Sequence, residues 1–557
     1  MKYVVVIGSV MSGIGKGITA SSIGVVLKSR GLRVTAIKID PYLNLDSGTM
    51  SPFEHGECYV LDDGGETDLD LGNYERFLDL NLTSDHNITT GKIYSQIIQD
   101  ERAGKYLGKT VQVIPHVTNA IQNWIERVAQ SGEDNDICMI ELGGTIGDLE
   151  SDAYVEALRQ LGFRLGRENV CYVNVCYCPV VGDEVKTKPA QNGIAEMRRR
   201  GLNPDLLIVR CERDLDDGAI EKLSNFCQIS KDKIIINQNV KNIYQVPLNF
   251  HSKNVYSIIA QQLMLNGRRL GDANPNPNTN TLDLQYIHFW IDIADNIDNP
   301  DFKEINVGII GKYTGLADSY LSLSHAIRDA GLEIGCRTNL IFVDASSLED
   351  LSHHELSAVL SQYTHLIIPG GFGQRGIEGM IRAAEYARVH HVPCLGICLG
   401  FQIMIIEYSR HALGLTDANS TEVDPETPHP VITIMEKDQV IMGGSMRLGL
   451  HSTRLAKGSQ VWTAYNSRPR GKVNNTSTEV EERHRHRYEV NPQYIDRFDS
   501  TDLWFSGVSL DGERMEVCEI TDRKSFYMGV QFHPEFLTRP GFPHPVFVAW
   551  LQGEKSF

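Results

Sequence analysis

Gly396-Ile397-Cys398-Leu399-Gly400 joins two patterns of different period. Residues 392–397 form a short apolar run with Pro393 at its edge, which reads as a buried strand. Residues 399–413 repeat apolar side chains at helical spacing, with Gly414 as the stop. A cysteine at a strand-to-helix turn between glycines is the thiol form of a nucleophile elbow. The glycines permit a tight turn, while the helix N-terminus lowers the thiol pKa and offers amides to a developing oxyanion. A small cysteine buried in an α/β core has the same local signature, so this turn alone leaves both readings open.

Far downstream stands Gln531-Phe532-His533-Pro534-Glu535. A catalytic thiol needs a general base, and the base needs a carboxylate to orient its ring. His533 and Glu535 are two apart, so on an extended segment both side chains face the same way. Together with Pro369-Gly370-Gly371-Phe372-Gly373, these residues resemble the class I glutamine amidotransferases. The resemblance implies that Cys398, His533 and Glu535 hydrolyse glutamine to ammonia, with the amides of Gly371 and Leu399 holding the oxyanion. It also implies that Gly371, Leu399, Gly400, Phe401, Gln402 and Glu422 bind glutamine.

The 557 residues have room for two to four domains. Hydrophobic content of 41% and charged content of 22% are those of a soluble globular protein. The net charge of −18 argues against a general binder of nucleic acid or anionic membrane. No run of about 18 apolar residues is present, and the first apolar run is too short for a signal peptide. Eleven cysteines without zinc-ribbon spacing read as reduced thiols of a cytoplasmic protein.

At the start of the chain, residues 3–7 read as a strand, Gly8 to Gly17 as a glycine-rich loop carrying Lys16, and residues 18–29 as a helix closed by Gly31. Strand, glycine loop, lysine and helix is the arrangement that wraps amides around phosphates. It departs from a standard Walker A, with Gly17 where Ser or Thr would stand and Val10 at the first glycine position. A second strand at 34–39 brings Lys38 to the same sheet edge, and the polar stretch 50–57 reads as a loop over that site. Asp70 and Glu141, the latter ending an apolar strand at 137–142, form a credible Mg²⁺ pair opposite a phosphate loop. Lys186-Thr187-Lys188-Pro189-Ala190-Gln191 suits either a second polyphosphate or plain solvation. Arg483-His484-Arg485-His486-Arg487-Tyr488 reads as a solvated basic run or a nucleic-acid patch, and its histidines offer no convincing metal site.

Ser12–Ile18, Lys38–Tyr42, Ser51–Glu57, Thr67–Gly72, Gly143–Glu150, Lys186–Gln191, Gly370–Gly379, Gly396–Gln402 and Arg483–Glu489 together resemble the CTP synthase family over nearly the whole chain. The implied fold class is α/β with two domains, each a mainly parallel sheet flanked by helices. Residues 1–270 would be a P-loop-like, dethiobiotin-synthetase-like amidoligase, 271–300 a linker with a helix at 282–297, and 301–557 a class I glutaminase. The resemblance assigns ATP to Gly13, Ile14, Gly15, Lys16, Gly17, Ile18, Lys38 and Asp70, with Gln238, Asn239 and Val240 at the adenine. Mg²⁺ falls to Asp70 and Glu141. UTP, and the inhibitory product CTP, fall to Ser12, Asp148, Leu149, Glu150, Lys186, Thr187, Lys188, Pro189, Ala190, Gln191 and Lys222. Arg375, Gly376 and Glu378 match a lid for the activator GTP, and Arg487 is assigned to the glutamine carboxylate, a bidentate task suited to guanidinium.

The same resemblance implies a homotetramer, filaments in several members, and no nucleic-acid or membrane partner. Ser9 for a glycine, Ala190 for a threonine and Gln238-Asn239-Val240-Lys241 depart from the family pattern and bear on nucleotide affinity. Another amidoligase with the same domain pair, one that amidates carboxylates, and a catalytically quiet assembly protein are the rival readings.

Overall fold

Residues 3–8 are all buried in the computed structural model, which describes residues 1–9, 11–132, 135–265, 279–435, 446–467, 478–521 and 526–553. Their near-continuous apolar character is that of a strand covered on both faces. The chain divides into two units, Met1–Ser47 with Asp70–Asp295, and Gly48–Leu69 with Asn296–Phe557.

The first unit is built on Lys2–Gly8 (β1), Val34–Asp40 (β2), Asn87–Thr89 (β3), Ile137–Leu142 (β4), Val170–Cys178 (β5), Leu206–Cys211 (β6) and Ile234–Gln238 (β7). They pair in the order β7-β6-β5-β1-β4-β2-β3, and every pairing is parallel. Right-handed crossover helices are the expected covering for such a sheet. Helices Lys16–Ser29 (α1), Leu69–Leu78 (α2), Lys188–Arg199 (α3) and Thr279–Asn296 (α4) are those that bear on the sites. Helix α1 starts two residues earlier than its apolar pattern, because Gly15 in the left-handed region at φ +86° turns the chain directly into Lys16.

The second unit contains Lys303–Gly311 (β8), Cys336–Asp344 (β9), His365–Ile368 (β10), Cys394–Ile397 (β11), Arg447–Leu455 (β12), Glu479–His486 (β13), Leu503–Ser509 (β14), Met515–Ile520 (β15) and Tyr527–Val530 (β16). The order is β9-β8-β10-β11-β16-β15-β14-β12-β13. The five strands from β9 to β16 are parallel, and the rest continue antiparallel. Ile377–His390 (α5) and Leu399–His411 (α6) cover the parallel half.

The division departs from the sequence boundaries in two places. Helix α4, expected within the linker, buries Trp290 against Phe77 at 5.1 Å and Tyr244 at 5.9 Å, so it belongs to the first unit. The preceding stretch at 272–278 lies outside the described residues. Residues 48–69, which include the 50–57 stretch and fall inside the expected first domain, group with the second unit and are held in it by polar contacts. The Glu57 carboxylate accepts from the Ser322 amide at 2.9 Å and from its hydroxyl. Tyr59 packs edge-on against Phe536 at 5.0 Å and donates to its carbonyl at 2.8 Å.

Candidate active sites

In the second unit, Cys398 is the one residue between β11 and α6, at φ +52° and ψ −98°. A non-glycine residue in this region stores about 1–3 kcal/mol of strain and persists only where its surroundings enforce it. The enforcement is visible: the Cys398 amide donates to the Val530 carbonyl at 2.7 Å. A Cβ on Gly396 would stand 2.6 Å from the Gly400 carbonyl carbon, and one on Gly400 would overlap the Ile368 carbonyl. The flanking glycines are therefore close-approach positions.

His533 does not sit on an extended segment, as its spacing from Glu535 implied. It precedes the single 3₁₀ turn Pro534–Leu537, and that turn brings the Glu535 carboxylate to 2.8 Å from Nδ1. Both side chains are buried. Burial opposes charge on the ring, but the Glu535 carboxylate and then the Cys398 sulfur outweigh it, and the imidazole is pushed up to about 10. The His533 amide donates to the Arg483 carbonyl at 2.8 Å, and the ring stacks on Phe536 at 5.1 Å. A Cβ on Gly370 would lie 2.9 Å from His533 Cε1 and 3.6 Å from Cys398 Cβ, so the three loops read from sequence converge. The Cys398 thiol donates to the Arg485 carbonyl at 3.5 Å.

The loop after β10 is held from several sides. Its Gly371 has Leu399 Cδ2 within 3.4 Å of a built Cβ. The Gly373 amide donates to Glu422 Oε1 at 2.9 Å, and the Phe372 amide to the Tyr313 hydroxyl at 3.2 Å. Lys312, at the end of β8, donates to the Gly373 carbonyl and, at 3.4 Å, to that of Phe372. Burial lowers its pKa to about 8, with Glu422 opposing. Gln402 donates to the Tyr488 carbonyl at 2.9 Å and Gln531 at 3.3 Å. Burial, then Glu422, raises the Tyr488 hydroxyl, and Arg487 opposes them. Gly400 and Phe401 open the same helix and are buried.

Arg375 reaches Asp344 at 3.1 Å and lies over the Phe53 ring at 5.6 Å. Gly376 caps α5 at φ +77°, and Glu378 pairs with Arg410 at 2.8 Å. The basic stretch is not a solvated run: it forms β13, with Arg483 fully buried and Arg485 largely so. Their charges are matched by Asp62 at 2.6 Å and Glu66 at 2.8 Å.

In the first unit, Lys16 folds back over Gly8 and donates to the Gly144 carbonyl at 2.6 Å. Burial lowers its pKa, with Glu141 opposing. Lys38 pairs with Asp70, with Glu141 Oε1 at 2.8 Å and, more distantly, with Asp40 at 3.9 Å. Burial works against its charge, but these carboxylates outweigh it and hold the ammonium protonated. The Tyr74 hydroxyl donates to the other Glu141 oxygen. Burial and then Asp70 raise the Glu141 carboxyl. A Cβ on Gly17 would overlap the Asp70 carboxylate, which explains the missing Walker-type Ser or Thr.

Asp70 and Glu141 converge on the Lys38 ammonium, and as hard oxygen donors they form a set that would fit Mg²⁺ completed by phosphate oxygens. Among the described residues no three His, Cys, Asp or Glu side chains form a metal cage by themselves.

The other assigned positions sit on separate loops. Gly13 lies at φ +71°, Ile14 is buried, Ser12 is exposed and Ile18 is half-buried. Asp148 accepts from the Thr145 amide at 2.7 Å and hydroxyl at 2.8 Å, while Leu149 and Glu150 are exposed. Lys186 pairs with Glu184 and, with a smaller contribution from Lys222, holds that carboxyl below its ordinary value, while Lys188 lies over the Phe226 ring at 5.6 Å. Thr187 accepts from Gln191 at 3.1 Å at the start of α3, where Pro189 and buried Ala190 follow. Among the described residues no hydrogen bond joins 148–150 to 186–191.

Sequence reasoning did not single out Arg210, which donates to the Gly13 carbonyl at 3.0 Å and to Asn239 at 2.9 Å. Gln238 ends β7 and Val240 follows Asn239. Ser9 is accommodated by a bond to Asn174 at 2.7 Å and by Gly193 of α3, where a Cβ would collide with it. Tyr74 and Lys312 also went unread; a lysine closing an apolar strand was the one available signal for the latter.

A parallel-sheet unit with a phosphate-type loop and a class I glutaminase unit, in one chain, define a glutamine-dependent ligase. Residues 2–265 match the family described as CTP synthase N-terminus, and residues 315–552 match glutamine amidotransferase class-I. The chain is 47% identical over 570 residues to a CTP synthase of Dictyostelium discoideum, covering 99% of this chain and 98% of that one. It is 44% identical over 560 residues to a CTP synthase of Archaeoglobus fulgidus, covering 100% and 99%. A solved Trypanosoma brucei CTPS glutaminase domain with bound acivicin is 33% identical, at a TM-score of 0.41, covering 44% of this chain and 92% of that one. The chain belongs to the CTP synthase family and is a glutamine-hydrolysing carbon–nitrogen ligase of pyrimidine biosynthesis.

Proposed function

We propose that Cys398, His533 and Glu535 release ammonia from glutamine, and that the first unit uses it to convert UTP to CTP at the expense of ATP. The observation that carries the reading is the strained Cys398 turn meeting the His533–Glu535 pair under Gly370. In the glutaminase step the Cys398 sulfur attacks the amide carbon with its proton already held on His533, whose imidazole is pushed up to about 10, and the Gly371 and Leu399 amides hold the oxyanion. His533 then returns the proton to the departing nitrogen, and water cleaves the thioester to glutamate. Glu535 keeps the imidazole oriented throughout. Gln402, Glu422 and Arg487 recognise the amino-acid end of glutamine.

In the first unit, Lys16, Lys38 and the loop amides from Gly13 to Ile18 hold ATP phosphates, with Gln238 to Val240 at the adenine. Asp70 and Glu141 hold Mg²⁺, which supplies neutralisation of phosphate charge when bound. Transfer of the γ-phosphoryl group to the uracil 4-oxygen makes that oxygen a leaving group, and ammonia displaces it as phosphate. The balance is UTP, ATP and NH₃ to CTP, ADP and phosphate. Residues 148–150, 186–191, Ser12 and Lys222 hold UTP and, in part, the inhibitor CTP. Ammonia passes as neutral NH₃ through a shielded internal channel, because ammonium has no free lone pair. Arg375, Gly376 and Glu378 answer to GTP, the arginine beside Phe53 being suited to a purine. The working form is a cytoplasmic homotetramer. No helix among the described residues is long and apolar enough to cross a membrane.

Cys398→Ala tests the two-site reading. It should abolish CTP formation from glutamine and leave formation from ammonium chloride within about twofold of the parent. Equal loss from both nitrogen sources would overturn it.

A further inference from the structure

We propose that the hairpin formed by Tyr59–Val60 and Glu66–Thr67 is a positioning element of the glutaminase, acting through Asp62 on Arg483 and through Glu66 on Arg485. The inference rests on the Cys398–His533–Glu535 assignment and names what holds that set in register.

Strand β13 meets the nucleophile and the base with its backbone. The Arg483 carbonyl accepts the His533 amide at 2.8 Å, and the Arg485 carbonyl accepts the Cys398 thiol at 3.5 Å. The side chains of the same two arginines reach the hairpin. Arg483 Nε meets Asp62 Oδ1 at 2.6 Å, and its Nη1 donates to the Tyr59 hydroxyl and the Val60 carbonyl, both at 3.0 Å. Arg485 Nε meets Glu66 Oε1 at 2.8 Å, and its Nη2 donates to the Gly48 carbonyl at 3.1 Å. The Arg485 guanidinium also covers the Phe372 ring at 5.0 Å, next to the Gly371 amide assigned to the oxyanion. One ion pair therefore touches both the thiol's backbone partner and the oxyanion loop.

The hairpin is itself fixed. Thr67 donates to the Tyr59 carbonyl at 3.0 Å, and the Asp62 carbonyl accepts the Leu450 amide at 2.9 Å. A Cβ on Gly48 would stand 2.6 Å from the Glu66 carboxyl carbon, so that carboxylate has no second position on that side. Removing the charge of Glu66 leaves a buried guanidinium without its anion, a state that relaxes by movement of the arginine. Its carbonyl and Phe372 move with it, and displacement of about 1 Å at a reacting group costs on the order of 100-fold in rate.

The test uses the full chain with Glu66→Gln and Asp62→Asn, which keep shape and lose charge. Glutamine hydrolysis should lose at least about tenfold in kcat with KM for glutamine within about twofold, and ammonia-dependent CTP formation should be retained. Alkylation of Cys398 by iodoacetamide supplies a readout that simple loosening would not move. The Arg485 guanidinium and the His533 imidazole each interact electrostatically with the Cys398 sulfur. In Glu66→Gln the freed Arg485 charge should shift the alkylation profile to lower pH. Hydrolysis within twofold of the parent, or a kcat loss with an unshifted profile, would overturn the positioning role. Glutamine-dependent synthesis surviving in Cys398→Ala would instead remove the triad, and the inference with it.

Discussion

Cys398 combines a left-handed backbone with a buried base whose imidazole stays charged well above its ordinary range. The sign of the consequence follows from proton linkage. With the folded-state pKa of His533 raised to about 10, its contribution to stability is complete below the unfolded value of about 6.5 and is lost as pH rises through about 10. Calorimetry should therefore show the parent losing stability relative to His533→Asn across that window; parallel curves would contradict the ion pair. That Cys398, His533 and Glu535 belong together was legible because each lies in a short motif whose chemistry is local. Lys312 was not, since nothing in Gly311-Lys312-Tyr313 announces that its ammonium will meet two carbonyls 60 and 61 residues away.

At the scale of elements, the start of α1 shows how a departure from a motif can be a packing requirement. Gly17 stands where the Asp70 carboxylate of α2 approaches the helix, and no side chain fits between them. Gly17→Ala gains about 1 kcal/mol of helix propensity, yet should lower ammonia-dependent CTP formation at least about tenfold by displacing Asp70. Hydrolysis of glutamine, measured separately, should persist. Strands β1, β4 and β11 and helix α6 were readable because buried parallel strands and helices carry strong periodic signals. The basic stretch of β13 was misleading for a physical reason: its arginines are buried by carboxylates 419 and 421 residues away, a pairing no local window contains.

For the whole molecule, the family resemblance carried the α/β class, with local strand-to-helix turns at both motifs in agreement, whereas the division of the chain was only partly legible. Residues 48–69 leave the first unit and return to it at Asp70, an excursion that composition does not mark. Helix α4 carries polar flanks yet buries Trp290 at 1% exposure, so a linker-like sequence ends in a docked helix. On the proposed assignment of Mg²⁺ to Asp70 and Glu141, the two units should also separate by metal dependence. Chelation of Mg²⁺ should abolish CTP formation with either nitrogen source, assayed by product chromatography, and leave Cys398 reactive toward iodoacetamide.

The central claim is that nitrogen released at Cys398 becomes the 4-amino group of CTP. The direct measurement supplies amide-¹⁵N glutamine with UTP, MgATP and GTP, and reads the CTP formed by mass spectrometry. The expected result is CTP carrying one ¹⁵N, with equimolar glutamate, ADP and phosphate. Labelled ammonia released without CTP, or CTP without label, would contradict the account.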